Sequence, residues 1–243
     1  MRVWTFSLRT AREILRDPLT VGFSLGFPVA LLLLLSAIQA NIPVELFAIG
    51  QLAPGIVVFG LAFLTLFSAT LIARDRESAL LQRLYTTPLT AADFILGYTL
   101  PVLPIALAQS AVCYLAAVFL SLPVTANLLR ALLWTLPVAL FFIALGLLCG
   151  SVFTVKQVGG ICGALLTNLT AWLSGVWFDL DLVGGAFRKI ANVLPFVHAV
   201  ELERAALRGD WNAILPHACW VLGYGAAVLA AAVALFLRQM RRQ

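Results

Sequence analysis

The stretch Leu52–Ala73, LAPGIVVFGLAFLTLFSATLIA, holds no charged side chain. A helix needs about 20 mostly apolar residues to cross the hydrocarbon core of a bilayer, and this stretch supplies them. Four consecutive charges, Arg74-Asp75-Arg76-Glu77, come directly after it and mark where the chain leaves the apolar phase. Working outward, five more stretches qualify: Val21–Ala40, Ile95–Leu122, Leu128–Phe153, Val158–Phe178 and His217–Leu237. Ile95–Leu122 and Leu128–Phe153 are longer than one bilayer and should tilt or extend beyond it. Pro28, Pro101, Pro104 and Pro137 lie inside these runs, where neighbouring helices can re-satisfy the freed backbone groups. The expected fold is all-α, with six transmembrane helices in one membrane domain spanning residues 1–243.

Composition agrees. The chain is 62% hydrophobic and 11% charged, against roughly 45–50% and 25% in soluble domains. Its net charge of +5 reflects basic residues flanking the spans, and no basic groove interleaved with aromatics points to nucleic acid. Cys113, Cys149, Cys162 and Cys219 lie in or beside apolar runs, with no CxxC pair to suggest zinc or redox chemistry. No cofactor is expected, no small-residue cleavage site follows the first apolar run, and no internal repeat is evident.

Orientation follows from Lys and Arg. Arg2, Arg9, Arg12, Arg16, Arg74, Arg76, Arg83, Lys156, Arg238, Arg241 and Arg242 fall on one side. Only Arg130, Arg188, Lys189, Arg204 and Arg208 fall on the other. Both termini are therefore expected in the cytoplasm. The segment Arg2–Asp17 is too short and too charged to span. Trp4, Leu8, Ala11 and Leu15 recur at helical spacing while the arginines occupy other faces, the pattern of a helix lying in the membrane interface. Asp17-Pro18 marks its end.

Two segments outside the spans carry most of the functional information. After Arg74–Glu77, Leu80, Leu81, Leu84 and Tyr85 share one helical face, Pro88 closes that helix, and Thr90 with Asp93 forms a capping box for the next. Such an amphipathic helix either docks in a groove on a soluble partner or lies on the lipid surface. The second segment is the long outer loop Asp179–Pro216. In it Phe187–Leu194 suits a short helix, Pro195 interrupts, His198–Leu207 continues helically, and Gly209-Asp210 supplies a stop. It either dips into the outer leaflet to cap a pathway or forms a plain cap.

The run Ala73–Pro88, ARDRESALLQRLYTTP, followed by LTAADFILGYTL, resembles a signature of the ABC transporter type 2 permease family. The stretch Leu173–Asp210, with its Ser-Gly-x-x-Phe end, Leu-Pro break and Ala-Val-Glu-x-x-Arg-Ala pattern, looks like the family's second signature, and Pro54-Gly55 also fits. The resemblance implies a half-transporter in a bacterial or archaeal plasma membrane. Two six-span permeases, as a homodimer or related heterodimer, would work with two ABC ATPase subunits, mostly as exporters. Residues 74–90 would be the coupling helix seated in the ATPase. Those matching its motif are Arg74, Arg76, Glu77, Leu80, Leu84, Thr87 and Pro88. No G-x-x-x-x-G-K-[ST] pattern occurs, so ATP hydrolysis belongs to the partner and the chain itself is not expected to be an enzyme.

Two other classes compete. An ion-coupled carrier places acids or histidines inside its spans, but the six runs contain no Asp or Glu, their one cation, Arg130, stands near the start of Leu128–Phe153, and His217 stands only at a boundary. Gln109 and Asn168 are the polar side chains most worth noting there, either lining a pathway or bonding between helices. An intramembrane serine protease could draw on Ser174 with His198 or His217, although no nucleophile motif surrounds Ser174. The glycines Gly159, Gly160 and Gly163 suit close helix packing. The apolar walls favour an amphipathic or lipid-like substrate.

Overall fold

A computed structural model describes residues 2–43, 47–78 and 90–240, and among these no strand occurs. Helix α1 (Arg2–Leu15) stops where the Asp-Pro step requires. Asp17 then caps α2 (Pro18–Gln39), its carboxylate accepting from Thr20 N at 3.1 Å and Thr20 Oγ1 at 2.7 Å. Next come α3 (Ile49–Glu77), α4 (Ala91–Phe119) and α5 (Ala126–Val152). The capping box read from the sequence opens α4: Asp93 N donates to Thr90 Oγ1 (3.2 Å) and Thr90 N donates to Asp93 Oδ2 (2.8 Å). The chain continues through α6 (Val155–Val158), a π-helical segment (Gly159–Leu166) and α7 (Thr167–Leu173). Three short helices come after it, α8 (Leu180–Val183), α9 (Gly185–Val193) and α10 (Pro195–Arg208), before α11 (Trp211–Met240).

Among the described residues five helices, α2, α3, α4, α5 and α11, are long and apolar enough to cross a membrane. The sixth expected span is helical from Val155 to Leu173 but is not one uninterrupted α-helix. Its glycines are poor helix formers, and the turn widens through them. The Thr167 hydroxyl donates to the carbonyls of Cys162 and Gly163 there.

Helix α3 is central. Most of its apolar stretch is buried, whereas α2 and α11 bury little of theirs. Its principal partner is α5, and the approach is close because Gly146 and Gly150 present no side chain. A Cβ on Gly150 would stand 2.7 Å from the Ala69 carbonyl oxygen and 2.8 Å from Ile72 Cβ. Backbone cannot swing aside, so Gly150→Val should lower stability by about 1–3 kcal/mol, seen as a reduced melting temperature in detergent. Gly160→Ala, where a Cβ meets nothing within 4 Å, is the control and should cost nothing.

The end of the bundle that carries both termini is closed by α1. Phe6, Ser7 and Thr10 are its buried face, and Phe6 packs over Gly97 and edge-on to Tyr98 with ring centroids 5.0 Å apart. The stripe of Trp4, Leu8 and Leu15 points away from the protein, the direction an interface helix requires. At the far end α10 is no surface cap. Ala199, Val200, Leu202, Ala205 and Ala206 are fully buried, chiefly against α11, α5 and α3. Gly209, with φ of 77°, provides the left-handed turn that lets α11 start at Trp211.

Candidate functional site

Of the seven residues matching the coupling motif, Arg74, Arg76 and Glu77 sit on the last turn of α3, which continues helically through the charged run. Leu80, Leu84, Thr87 and Pro88 lie outside the described residues. Arg74 is exposed. Arg76 donates to the carbonyls of Ser151 and Phe153, at the C-terminal end of α5. Glu77 Oε1 accepts from Val155 N at 2.9 Å, in the first turn of α6. A helix leaves carbonyls unpaired at its C-terminus and N–H groups unpaired at its N-terminus. The cation and the anion of α3 each satisfy the end that suits their charge. The foot of α3 is thereby tied to the α5–α6 junction.

Asp75, between them, is a residue that the motif does not single out. It is 3% exposed, and its carboxylate receives both guanidinium nitrogens of Arg9 (2.7 and 2.8 Å) and the Tyr98 hydroxyl (2.6 Å). The hydrogen bond to Asp75 raises the already high pKa of the Arg9 guanidinium still further. Arg9 also holds Glu13 at 2.6 Å. Asp75 thus joins α3, α4 and α1, and the two helices it bridges first are those flanking residues 79–89. A signal for it exists in the helical phase, because Ser68, Ile72 and Asp75 fall on one inward face.

Gln109 and Asn168 do not form one site. Gln109 is fully buried, its Nε2 donating to Val57 O at 3.3 Å while its Oε1 has no partner. It packs against Gly60, where a Cβ would stand 2.1 Å from Nε2, so it bonds between α3 and α4. Asn168 is exposed and donates to its own helix at Ala164 O, 2.7 Å away.

No Ser–His dyad is built. Ser174 is fully buried and its Oγ has no hydrogen-bond partner. The two histidines bond each other, Nδ1 to Nδ1 at 2.9 Å, and His198 Nε2 lies 2.9 Å from Asn192 O. That carbonyl only accepts, so His198 carries its proton on Nε2 and, in the neutral pair, accepts from His217.

A second buried acid stands at the far end. Glu203 of α10 is fully buried between α4 and α5. The Tyr114 hydroxyl donates to its Oε2 at 2.6 Å, and Oε1 has no partner. Burial pushes its pKa up to about 7, opposed by the hydroxyls of Tyr114 and Thr135. The acid lies outside every apolar run, and only the insertion of α10 brings it into the bundle.

Long apolar helices around a central α3, an amphipathic helix bonded to the foot of that helix and a far-end helix packed into the bundle define a multi-pass membrane protein. The chain matches the family model described as ABC-2 type transporter over residues 1–207 and belongs to that family. Comparison with curated proteins gives no match.

Proposed function

We propose that residues 1–243 are the permease subunit of an ATP-driven exporter whose ATP is hydrolysed by a separate ABC ATPase. The terminus-bearing end faces the cytoplasm of a bacterial or archaeal cell. Two copies of the permease, or two related chains, work with two ATPases and move an amphipathic or lipid-like molecule outward. The observation that carries this reading is the anchoring of α3 on both sides of Asp75. A load applied to residues 79–89 passes through Asp75 to α1 and α4, and through Arg76 and Glu77 to the α5–α6 junction. Rigid helices joined in this way turn a push at one end into a change of bundle geometry.

The ion-coupled alternative gains two buried acids outside the apolar runs, but they do not form a relay. Tyr98 and Tyr114, which hold them, are both on α4, separated by about 24 Å of helix. Mutual pairing of the histidines removes the base from the protease alternative.

The test is a pull-down of the tagged chain from native membranes in mild detergent. The expected result is an ABC ATPase recovered in roughly equal amount, and its loss in a Leu80→Asp, Leu84→Asp double variant that still inserts. Recovery of the chain alone from several detergents would sink the reading.

A further inference from the structure

A cavity of about 590 Å³ opens at the far end, between the start of α3, the turn after α7, and helices α8 to α10. That volume is in the range of small-molecule sites. Its floor is apolar, with Leu52, Val176, Leu180 and Val197. Its walls carry three guanidiniums and three carboxylates, so the lining is charged yet neutral in sum.

These charges divide into two kinds. Arg204 is fixed: its side chain is 13% exposed and donates to Gln51 O (3.3 Å), Gly175 O (2.9 Å) and Glu201 Oε1 (2.8 Å). Arg188, Asp181 and Arg208 are half-exposed. Arg188 pairs with Asp181 at 2.8 Å, and Arg208 stands 3.7 Å from Glu201. Exposed pairs of this sort contribute only about 0–1 kcal/mol, so exchanging their partners costs little. Ser174, fully buried and lining the same cavity, has a hydroxyl with no hydrogen-bond partner. Buried hydroxyls are normally satisfied, and Ser174 lies against the cavity.

We propose that this cavity binds a phosphate–ammonium zwitterion, with the start of an attached apolar chain on its floor. A simple anion entering here would take a guanidinium and strand a carboxylate, and a simple cation would do the reverse. A zwitterion replaces both partners of the exposed pair at once, placing phosphate on Arg188 and ammonium on Asp181. The Ser174 hydroxyl then donates to a ligand oxygen. Discrimination comes from the unpaired charge that a singly charged competitor leaves behind. The same chemistry is offered by a zwitterionic phospholipid head group and by the free phosphodiester. The inference rests on the orientation proposed above only for the side of the membrane from which the ligand enters.

The test uses the full chain in a maltoside detergent, with native mass spectrometry of added short-chain phosphatidylethanolamine, phosphatidylglycerol of equal chain length, and glycerophosphoethanolamine. The expected result is phosphatidylethanolamine held about tenfold more tightly than phosphatidylglycerol, the scale of one charge-assisted contact. The neutral-sum double variant Asp181→Ala, Arg188→Ala removes an exposed pair without touching the core. It should abolish that preference, and Ser174→Ala should weaken it at unchanged melting temperature. Displacement by glycerophosphoethanolamine identifies the head group alone as the ligand, whereas resistance to displacement identifies the lipid. Equal retention of both lipids, or a preference that survives the double variant, overturns the proposal. No ATPase is present in this assay, so its failure leaves the exporter reading standing, and absence of an ATPase from the pull-down leaves the binding result standing.

Discussion

Raising the pH from 5 to 8 should lower the thermal stability of the detergent-solubilised chain, and Glu203→Gln should remove most of that dependence. Glu203 titrates near 7 in the folded protein, against an ordinary value of 4.5. Between those values the folded state holds a proton that the unfolded state has released, so stability falls as pH rises. The contribution is fully present below about 4.5 and lost through pH 7. One pKa unit corresponds to about 1.4 kcal/mol, which makes the total about 3 kcal/mol. The physical source is burial, which penalises the ionised form more than the Tyr114 and Thr135 hydroxyls stabilise it. Protonated, Glu203 can offer its hydrogen to Thr135, whose own hydroxyl already donates to Ala131 O at 3.1 Å. Glutamine keeps the shape and an acceptor for Tyr114 and never ionises. The variant should therefore equal the parent at pH 5 and exceed it at pH 8. The difference between the two melting curves isolates Glu203 from every group the two proteins share. Parallel curves across that range would show that the acid is not held neutral.

Asp75→Ala should cost about 3 kcal/mol and detach α1 from the bundle. The substitution leaves the Tyr98 hydroxyl, 1% exposed, without an acceptor, a loss of about 1–3 kcal/mol. It also removes the bidentate partner of Arg9, whose side chain is 37% exposed and can turn partly to water and Glu13. Breaking a fully buried pair costs about 3–5 kcal/mol, and the exposure of Arg9 brings the expectation to the lower end. Arg9→Ala alone should cost less, because Asp75 keeps Tyr98. Cross-linking between cysteines placed at Phe6 and Gly97 reports the docking of α1 directly. A high yield retained in Asp75→Ala would show that α1 stays seated without this carboxylate. Asp75→Asn, which preserves an acceptor for Tyr98, should fall between the two.

How far each site can be read depends on what its residues bond to. Arg74, Arg76 and Glu77 stand out because four charges beside an apolar run demand an explanation, but a charge run does not say which member turns inward. Helical phase selects Asp75, and the apolar residues before it set that phase. Gln109 draws attention as a polar side chain in an apolar run, and in the fold it bonds to Val57 O between two helices. Asn168, singled out for the same reason, bonds its own backbone. Glu203 is invisible from this angle, because its neighbours in sequence, Glu201 and Arg204, are cavity-lining and the segment as a whole reads as a loop helix.

The amino-acid sequence alone is enough for the class of protein, the all-helical fold, the capping box at Thr90 and the family. These come from chain-local physics: an apolar run must enter lipid, a proline or glycine must end or widen a turn, and Thr90 with Asp93 must cap the helix that begins there. Which helix stands at the centre, the entry of α10 into the bundle and, among the described residues, the burial of Asp75 and Glu203 all come from packing. Those outcomes depend on contacts between residues far apart in the chain, such as Arg9 with Asp75 and Tyr114 with Glu203. Hydropathy assigns one value to an acid whether water or a tyrosine hydroxyl lies against it, and only the packed helices distinguish the two.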